Sequence, residues 1–259
     1  MAIASGVFII DSLARYARSG ISSSFGPGPL TPAVRAIIYT NAGLFLLTLA
    51  ASSVIVPWLG LSPRAVIERG RVWQLVTYLF VHSPHDPFHI LFNMLSVWMF
   101  GVDLERRWGS RGFTIYYFVT GIGAGLSVLL VSLLPFAWAR ATYGGPPTIG
   151  ASGAVYGLLL AWGLLFPHRQ IIFFIFPLPA RVFVMLFGGV ALFSAFASAG
   201  GGGVSHLAHL GGLVIGWIYL KGPKDLELAF RYRLTKWRMD RLRRRFNVHR
   251  GGKDDGRIH

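Results

Sequence analysis

Between Ile37 and Leu220 the chain is a succession of apolar stretches, and these limit the possible folds more than any other feature. Crossing a bilayer as a helix takes roughly 20 apolar residues. Inside the bilayer, only helices and closed barrels satisfy their own backbone. Six stretches read as spans: Ile37 to Pro57, Phe88 to Val102, Gly112 to Leu134, Ser152 to Phe166, Val182 to Ala197 and Val204 to Leu220. With 53% hydrophobic and 14% charged residues, the chain is too poor in charge for an ordinary soluble domain, where about a quarter is charged. The expected fold is all-α: a polytopic membrane protein with a six-transmembrane-helix bundle. There is no cysteine, which excludes disulfides, thiolate chemistry and cysteine metal sites.

The connections divide the chain further. Residues 1–36 form a Gly/Pro-rich N-terminal segment, expected to be cytoplasmic. Phe8, Ile9, Leu13 and Tyr16 could form a short amphipathic surface helix there, or the lead could be loosely ordered. It does not read as a cleavable signal, because no basic region precedes its apolar run. Trp58 to Phe88 is long but hydrophobic, so it is expected to be an ordered interfacial loop between the first two spans. Pro135 to Ile149 is read as a loop broken at Gly144-Gly145-Pro146-Pro147. Pro167 to Arg181 carries an apolar run too short to span, expected to be strand-like or re-entrant. The spans occupy residues 37–220. Residues 221–259 are a basic tail, expected to be an amphipathic helix.

Basic residues set the orientation. Arg15, Arg18 and Arg35, then Arg106, Arg107 and Arg111, then Arg169 and Arg181, and finally the tail all fall on one side of a six-span chain. Both termini are therefore expected to be cytoplasmic. Arg64, Arg69 and Arg71 in the first loop are the exceptions. The tail interleaves Arg231, Arg233, Lys236, Arg238, Arg241, Arg243, Arg244 and Arg245 with Phe230, Leu234, Trp237, Leu242 and Phe246. That pattern points to anionic lipid headgroups rather than nucleic acid.

Polar side chains inside spans are costly and mark function by default. His89 and Asn93 lie in the second span, Ser152 and Tyr156 in the fourth, and His206 and His209 in the sixth. All six sit near the beginnings of helices that start on the outer face, so they share one depth. His89 and Asn93 are four apart and share a helix face, as do Ser152 and Tyr156. Ser152 opens its helix among Gly150, Ala151 and Gly153, where unpaired backbone N–H groups could meet a developing oxyanion. The same residues could simply be a Gly-x-x-x-Gly packing motif, Gly153 with Gly157. Facing glycines, Gly153 and Gly157 against Gly212 and Gly216, would let two backbones approach and bring His209 to Ser152. Tyr156 could brace the imidazole. No acidic residue lies in these stretches to complete a triad, so the expectation is a Ser-His dyad. A metal site from His82, His85 and His89 has only Asp86 as an acidic neighbour. No metal or cofactor is expected.

These motifs together resemble the rhomboid intramembrane serine proteases. Gly150-Ala151-Ser152-Gly153 is similar to their nucleophile motif, and Ala208-His209-x-x-Gly212-x-x-x-Gly216 to their catalytic-histidine helix. His85-x-x-x-His89-x-x-x-Asn93 and Gly101-x-x-x-Glu105-x-x-x-Gly109 resemble two further signatures. The similarity runs from about Trp58 to Leu220. One departure is Trp73-Gln74, where the family usually carries Trp-Arg. Glu105, beside Arg106 and Arg107, is expected to tie a helix end to a loop.

The resemblance implies a six-helix protease cutting transmembrane segments of single-pass or polytopic membrane proteins near the extracytoplasmic face. It implies Ser152 as nucleophile and His209 as general base. His89, Asn93 and the Ser152 N–H would form the oxyanion hole, with Gly150, Gly153 and Tyr156 in support. The expected home is the plasma membrane of a bacterium. The alternative is a catalytically inactive relative that binds transmembrane segments. A transporter or channel subunit would call for a charged pathway or broken helices in repeated halves, and neither is evident.

Overall fold

A computed structural model describes residues 26–173, 176–197 and 204–245. The amphipathic helix considered around Phe8 to Tyr16 lies outside them. The described chain is mostly helical. Two helices are long and apolar enough to cross a membrane, and two further apolar helices are shorter.

The first helix, α1 (Pro32–Leu59), begins with a proline at its first position and bends at Ala51. It starts five residues before the expected span, because its N-terminus is capped from elsewhere. Glu105 accepts the Ala33 and Val34 N–H groups, each at 2.9 Å, and the Thr31 hydroxyl. Ser110 Oγ donates to the same carboxylate at 2.6 Å. A buried carboxylate at this end satisfies orphan amides and favours the helix dipole. Glu105 thus serves the start of α1 rather than the neighbouring arginines. Leu46, Leu47, Leu49 and Val54 are exposed, giving α1 an outward apolar face.

The connection after α1 is ordered. It contains α2 (Pro63–Arg69), α3 (Gln74–Thr77) and a 3-10 turn, Tyr78–Phe80. Ser62 caps α2 through its hydroxyl, and Gly70 (φ 63°) closes it. Gln74 is the buried hub. It accepts from Ser62 N–H at 3.1 Å and donates to the Pro57 and Trp58 carbonyls at 3.1 and 3.3 Å. A neutral amide, which both donates and accepts, joins the end of α1 to the start of α2 here.

The expected second and third spans are two helices that meet at Gly109 (φ 73°, ψ 163°), together labelled α4 (Pro87–Ser132). A left-handed glycine makes the turn within a single residue. The stretch expected as a loop before Gly150 contains a short helix, α5 (Ala137–Gly144). Next come α6 (Ser152–Leu165), the antiparallel strands β1 (Gln170–Phe173) and β2 (Phe176–Pro179), and α7 (Ala180–Ala197). The hairpin qualifies the all-α expectation and matches the strand-like reading of that segment. Last is α8 (Val204–Arg245), broken at Gly222 (φ 70°, ψ 156°). The break falls where the apolar stretch gives way to the basic tail.

The core lies where α4, α6 and α8 pack together. Small residues permit it. A Cβ at Gly212 would clash with the Gly153 carbonyl oxygen, and one at Gly216 would lie 3.4 Å from Gly157 Cα. Tyr78 and Tyr116 hydroxyls reach the Gly121 and Gly157 carbonyls at 2.6 and 2.9 Å. At the other end of α6, buried Asp103 of α4 accepts from Trp162 Nε1 at 3.0 Å and from Arg169, which precedes the hairpin.

Candidate active site

The turn that carries Ser152 is held on both sides before α6 begins. Leu61 and Thr148 exchange backbone hydrogen bonds at 2.9 and 2.8 Å, and Gly150 N–H donates to the Tyr78 carbonyl at 2.9 Å. The ordered loop after α1 thereby fixes the entry to α6. Ser152 is then the first residue of the helix, where backbone N–H groups lack intrahelical partners.

The close glycine crossing of α6 and α8 sets the central contact. Ser152 Oγ and His209 Nε2 are 2.8 Å apart. The Tyr156 ring stacks on the imidazole, with centroids 4.3 Å apart and planes 13° apart. His209 Nδ1 is buried with no hydrogen-bond partner among the described residues. The imidazole is therefore oriented by stacking and packing, without a carboxylate.

His89 comes to the same turn from the start of α4. A Cβ at Gly150 (φ 111°) would lie 2.6 Å from His89 Nε2. Glycine is needed there both for its backbone angle and for the room it leaves. On the other side of the ring, Ser83 N–H makes a long contact, 3.5 Å, to His89 Nδ1. Donation into Nδ1 favours the tautomer with its proton on Nε2, the nitrogen facing Gly150. Asn93 is buried one turn on. Its amide donates to the His89 carbonyl at 2.7 Å and keeps a second N–H to offer.

His82 belongs to this cluster as well, although its sequence position suggests an interfacial or structural residue. It is fully buried. Its Nε2 accepts from Ala151 N–H at 3.5 Å, and its ring meets His89 edge-on, with centroids 5.0 Å apart. It lies in an irregular loop, where no periodicity points to a face. His206 is half-buried, its ring 5.9 Å from that of His209. His85 is exposed. Asn41 donates to the Ile37 carbonyl of its own helix at 2.8 Å.

The arrangement offers a hydroxyl, an imidazole in contact with it, unpaired N–H groups at the helix start that carries the hydroxyl, and the His89 ring beside the same turn. That is the set required for nucleophilic acyl transfer.

Comparison with known proteins agrees with the motifs. A family model described as a rhomboid domain matches residues 69–222. The chain is 32% identical over 163 residues to mitochondrial Rhomboid protein 1 of Saccharomyces cerevisiae, covering 62% of this chain and 46% of that protein. It is 31% identical over 152 residues to the Rhomboid protease GlpG of Haemophilus influenzae, covering 59% of this chain and 70% of the relative. Against the Rhomboid protease GlpG of Yersinia enterocolitica the identity is 28% over 192 residues, covering 73% and 60%. The chain thus spans about half to two thirds of the curated relatives it matches. The matched domain takes in more than half of the chain and every residue of the Ser152–His209 cluster, and the chain belongs to the rhomboid family.

Proposed function

We propose that this chain is an intramembrane serine endopeptidase that cleaves transmembrane segments of other membrane proteins near the extracytoplasmic face. The observation that carries the reading is the 2.8 Å contact between Ser152 Oγ and His209 Nε2. In this reading the chain crosses the membrane six times, with the two arms of α4 as the second and third spans and both termini cytoplasmic. The basic tail beyond Gly222 lies against anionic headgroups. An impermeant maleimide should reach a single cysteine placed in α2 from outside.

The chemistry follows from the site. The Ser152 hydroxyl gives its proton to His209 Nε2 as its oxygen attacks a substrate carbonyl carbon. The carbonyl oxygen becomes an oxyanion, met by the Ser152 N–H, His89 Nε2–H and an Asn93 amide hydrogen. Collapse breaks the C–N bond. His209 returns the proton to the leaving amine, and an acyl ester remains on Ser152. Water, deprotonated by His209, then attacks the ester and restores the hydroxyl. A substrate helix must open locally to expose its carbonyl, so residues of weak helix propensity favour cleavage.

The test is cleavage of a model transmembrane substrate by protein reconstituted in vesicles. Ser152→Ala and His209→Ala should each abolish cleavage while leaving the melting temperature nearly unchanged. Asn93→Ala should slow it by roughly 10²–10³-fold, the usual cost of one oxyanion donor. Full activity in either of the first two variants would refute the assignment.

A further inference from the structure

The charge pattern leaves Arg64, Arg69 and Arg71 on the side opposite the other basic residues, and the structure separates their roles. Arg64 is occupied by Glu68, one helical turn on, at 2.9 Å. The Tyr143 hydroxyl donates to the other oxygen of that carboxylate at 3.1 Å. The Arg64 hydrogen bond holds the Glu68 carboxyl below its usual range, so Glu68 is ionised and engaged. Among the described residues no carboxylate pairs with Arg69 or Arg71.

Arg71 is nonetheless held in place. Its guanidinium carbon lies 4.4 Å from the Trp58 ring centroid. Trp58 stacks on Trp73, with centroids 6.3 Å apart and planes 15° apart. The Trp73 indole N–H donates to the Trp58 carbonyl at 3.0 Å, and Arg71 NH1 donates to the Pro57 carbonyl at 3.2 Å. A guanidinium carries five N–H donors in a fixed fork, so most of its donors remain to grip an anion. Its orientation is fixed beforehand by the ring beneath it, which lowers the entropy lost on binding.

The surroundings select the anion. Trp58, Ile67, Val72, Trp73 and Val76 are exposed. They lie at and just after the C-terminal end of α1, whose exposed side chains are also apolar. An unpaired cation on an aromatic ledge, where an apolar helix face ends, sits at the level of the headgroups. A free anion in water would find no use for the apolar rim, whereas a lipid satisfies both parts.

We propose that Arg71, seated on the Trp58–Trp73 stack with Arg69 two residues before it, binds the phosphate of an anionic phospholipid headgroup. The site rests on the reading that the chain spans a membrane, and not on the Ser152–His209 chemistry. Through Leu61, the loop it holds pairs with the segment that leads into Ser152.

A single thiol tests this, because the chain has no cysteine. Val72→Cys labelled with bimane is placed in vesicles of phosphatidylcholine and phosphatidylglycerol in equal amounts. A nitroxide near the headgroup is carried by one lipid or the other. Quenching should report enrichment of phosphatidylglycerol on the order of fivefold, the value for one basic side chain at an anionic surface. Adding Arg71→Gln should remove the preference, Arg71→Lys should keep part of it, and millimolar inorganic phosphate should not displace it. Equal quenching by both lipids, or a preference that survives Arg71→Gln, would overturn the proposal alone. Displacement by inorganic phosphate would overturn it in favour of a free-anion site. Absence of quenching by either lipid would overturn it together with the membrane reading. The arm with Arg71 intact decides even if the Arg71 variants fail to fold.

Discussion

Two demands meet at Gly150. Its backbone takes φ 111°, a conformation side chains resist, and the place of its missing Cβ is taken by His89 Nε2. An alanine would have to push the imidazole away or flatten the turn. Strain of this kind costs about 1–3 kcal/mol, and the displacement falls on the proposed oxyanion donor itself. Gly150→Ala should therefore melt at a lower temperature and, where folded, lower kcat/KM by roughly 10–100-fold, checked by cleavage and thermal unfolding of the same preparation. Unchanged kcat/KM would mean that His89 does not act at this turn. The residues here differ in how far sequence alone exposes them. Ser152, Tyr156, His89 and Asn93 were legible because a four-residue spacing on a helix fixes a shared face. His82 was not, because its partner Ala151 is 69 residues away and an irregular loop gives no face to count. The role of Gln74 was hidden for the same reason: its bonds to Pro57, Trp58 and Ser62 appear only once the loop has closed on α1.

Between elements, the α6–α8 crossing decides whether the site exists. The backbones meet so closely that a Cβ at Gly212 would clash with the Gly153 carbonyl oxygen. The facing glycines were readable from their spacing, and with them the approach of His209 to Ser152. Gly212→Ala must push the helices apart. Overpacking of this sort costs roughly 1–3 kcal/mol, so the variant should melt at a lower temperature and lose cleavage even where it remains folded. Retained stability and activity would show that the crossing has room to spare. Element ends were the least legible part. The start of α1 depends on Glu105, 71 to 74 residues away, and apolar periodicity carries no trace of such a cap. The Gly-Gly-Pro-Pro run marked a true stop, but the stop ends α5 rather than filling a loop. Gly109 and Gly222 turn the chain within one residue, so the second and third expected spans are two helices that meet at a single glycine, and the last span meets the basic tail in the same way.

For the molecule as a whole, buried polar groups gather towards helix ends. The buried carboxylates of Glu105 and Asp103 lie on α4 near its turn at Gly109, each engaged by donors from another part of the chain. The Ser152, His89 and His209 cluster gathers instead at the helix beginnings. If the proposed hydrolysis takes place in a membrane, a site at the helix ends gives water the shortest path to it. The outward faces stay apolar, and the loop that steadies the nucleophile carries a cationic aromatic ledge at its edge. Everything functional in this account depends on the Ser152 hydroxyl being activated by His209. A fluorophosphonate probe reads that property directly, since it forms a covalent bond only with an activated hydroxyl. Wild-type protein in vesicles should be labelled on the peptide containing Ser152, with labelling absent in Ser152→Ala and nearly absent in folded His209→Ala. Labelling that persists undiminished in His209→Ala, or that maps to another residue, would contradict the account.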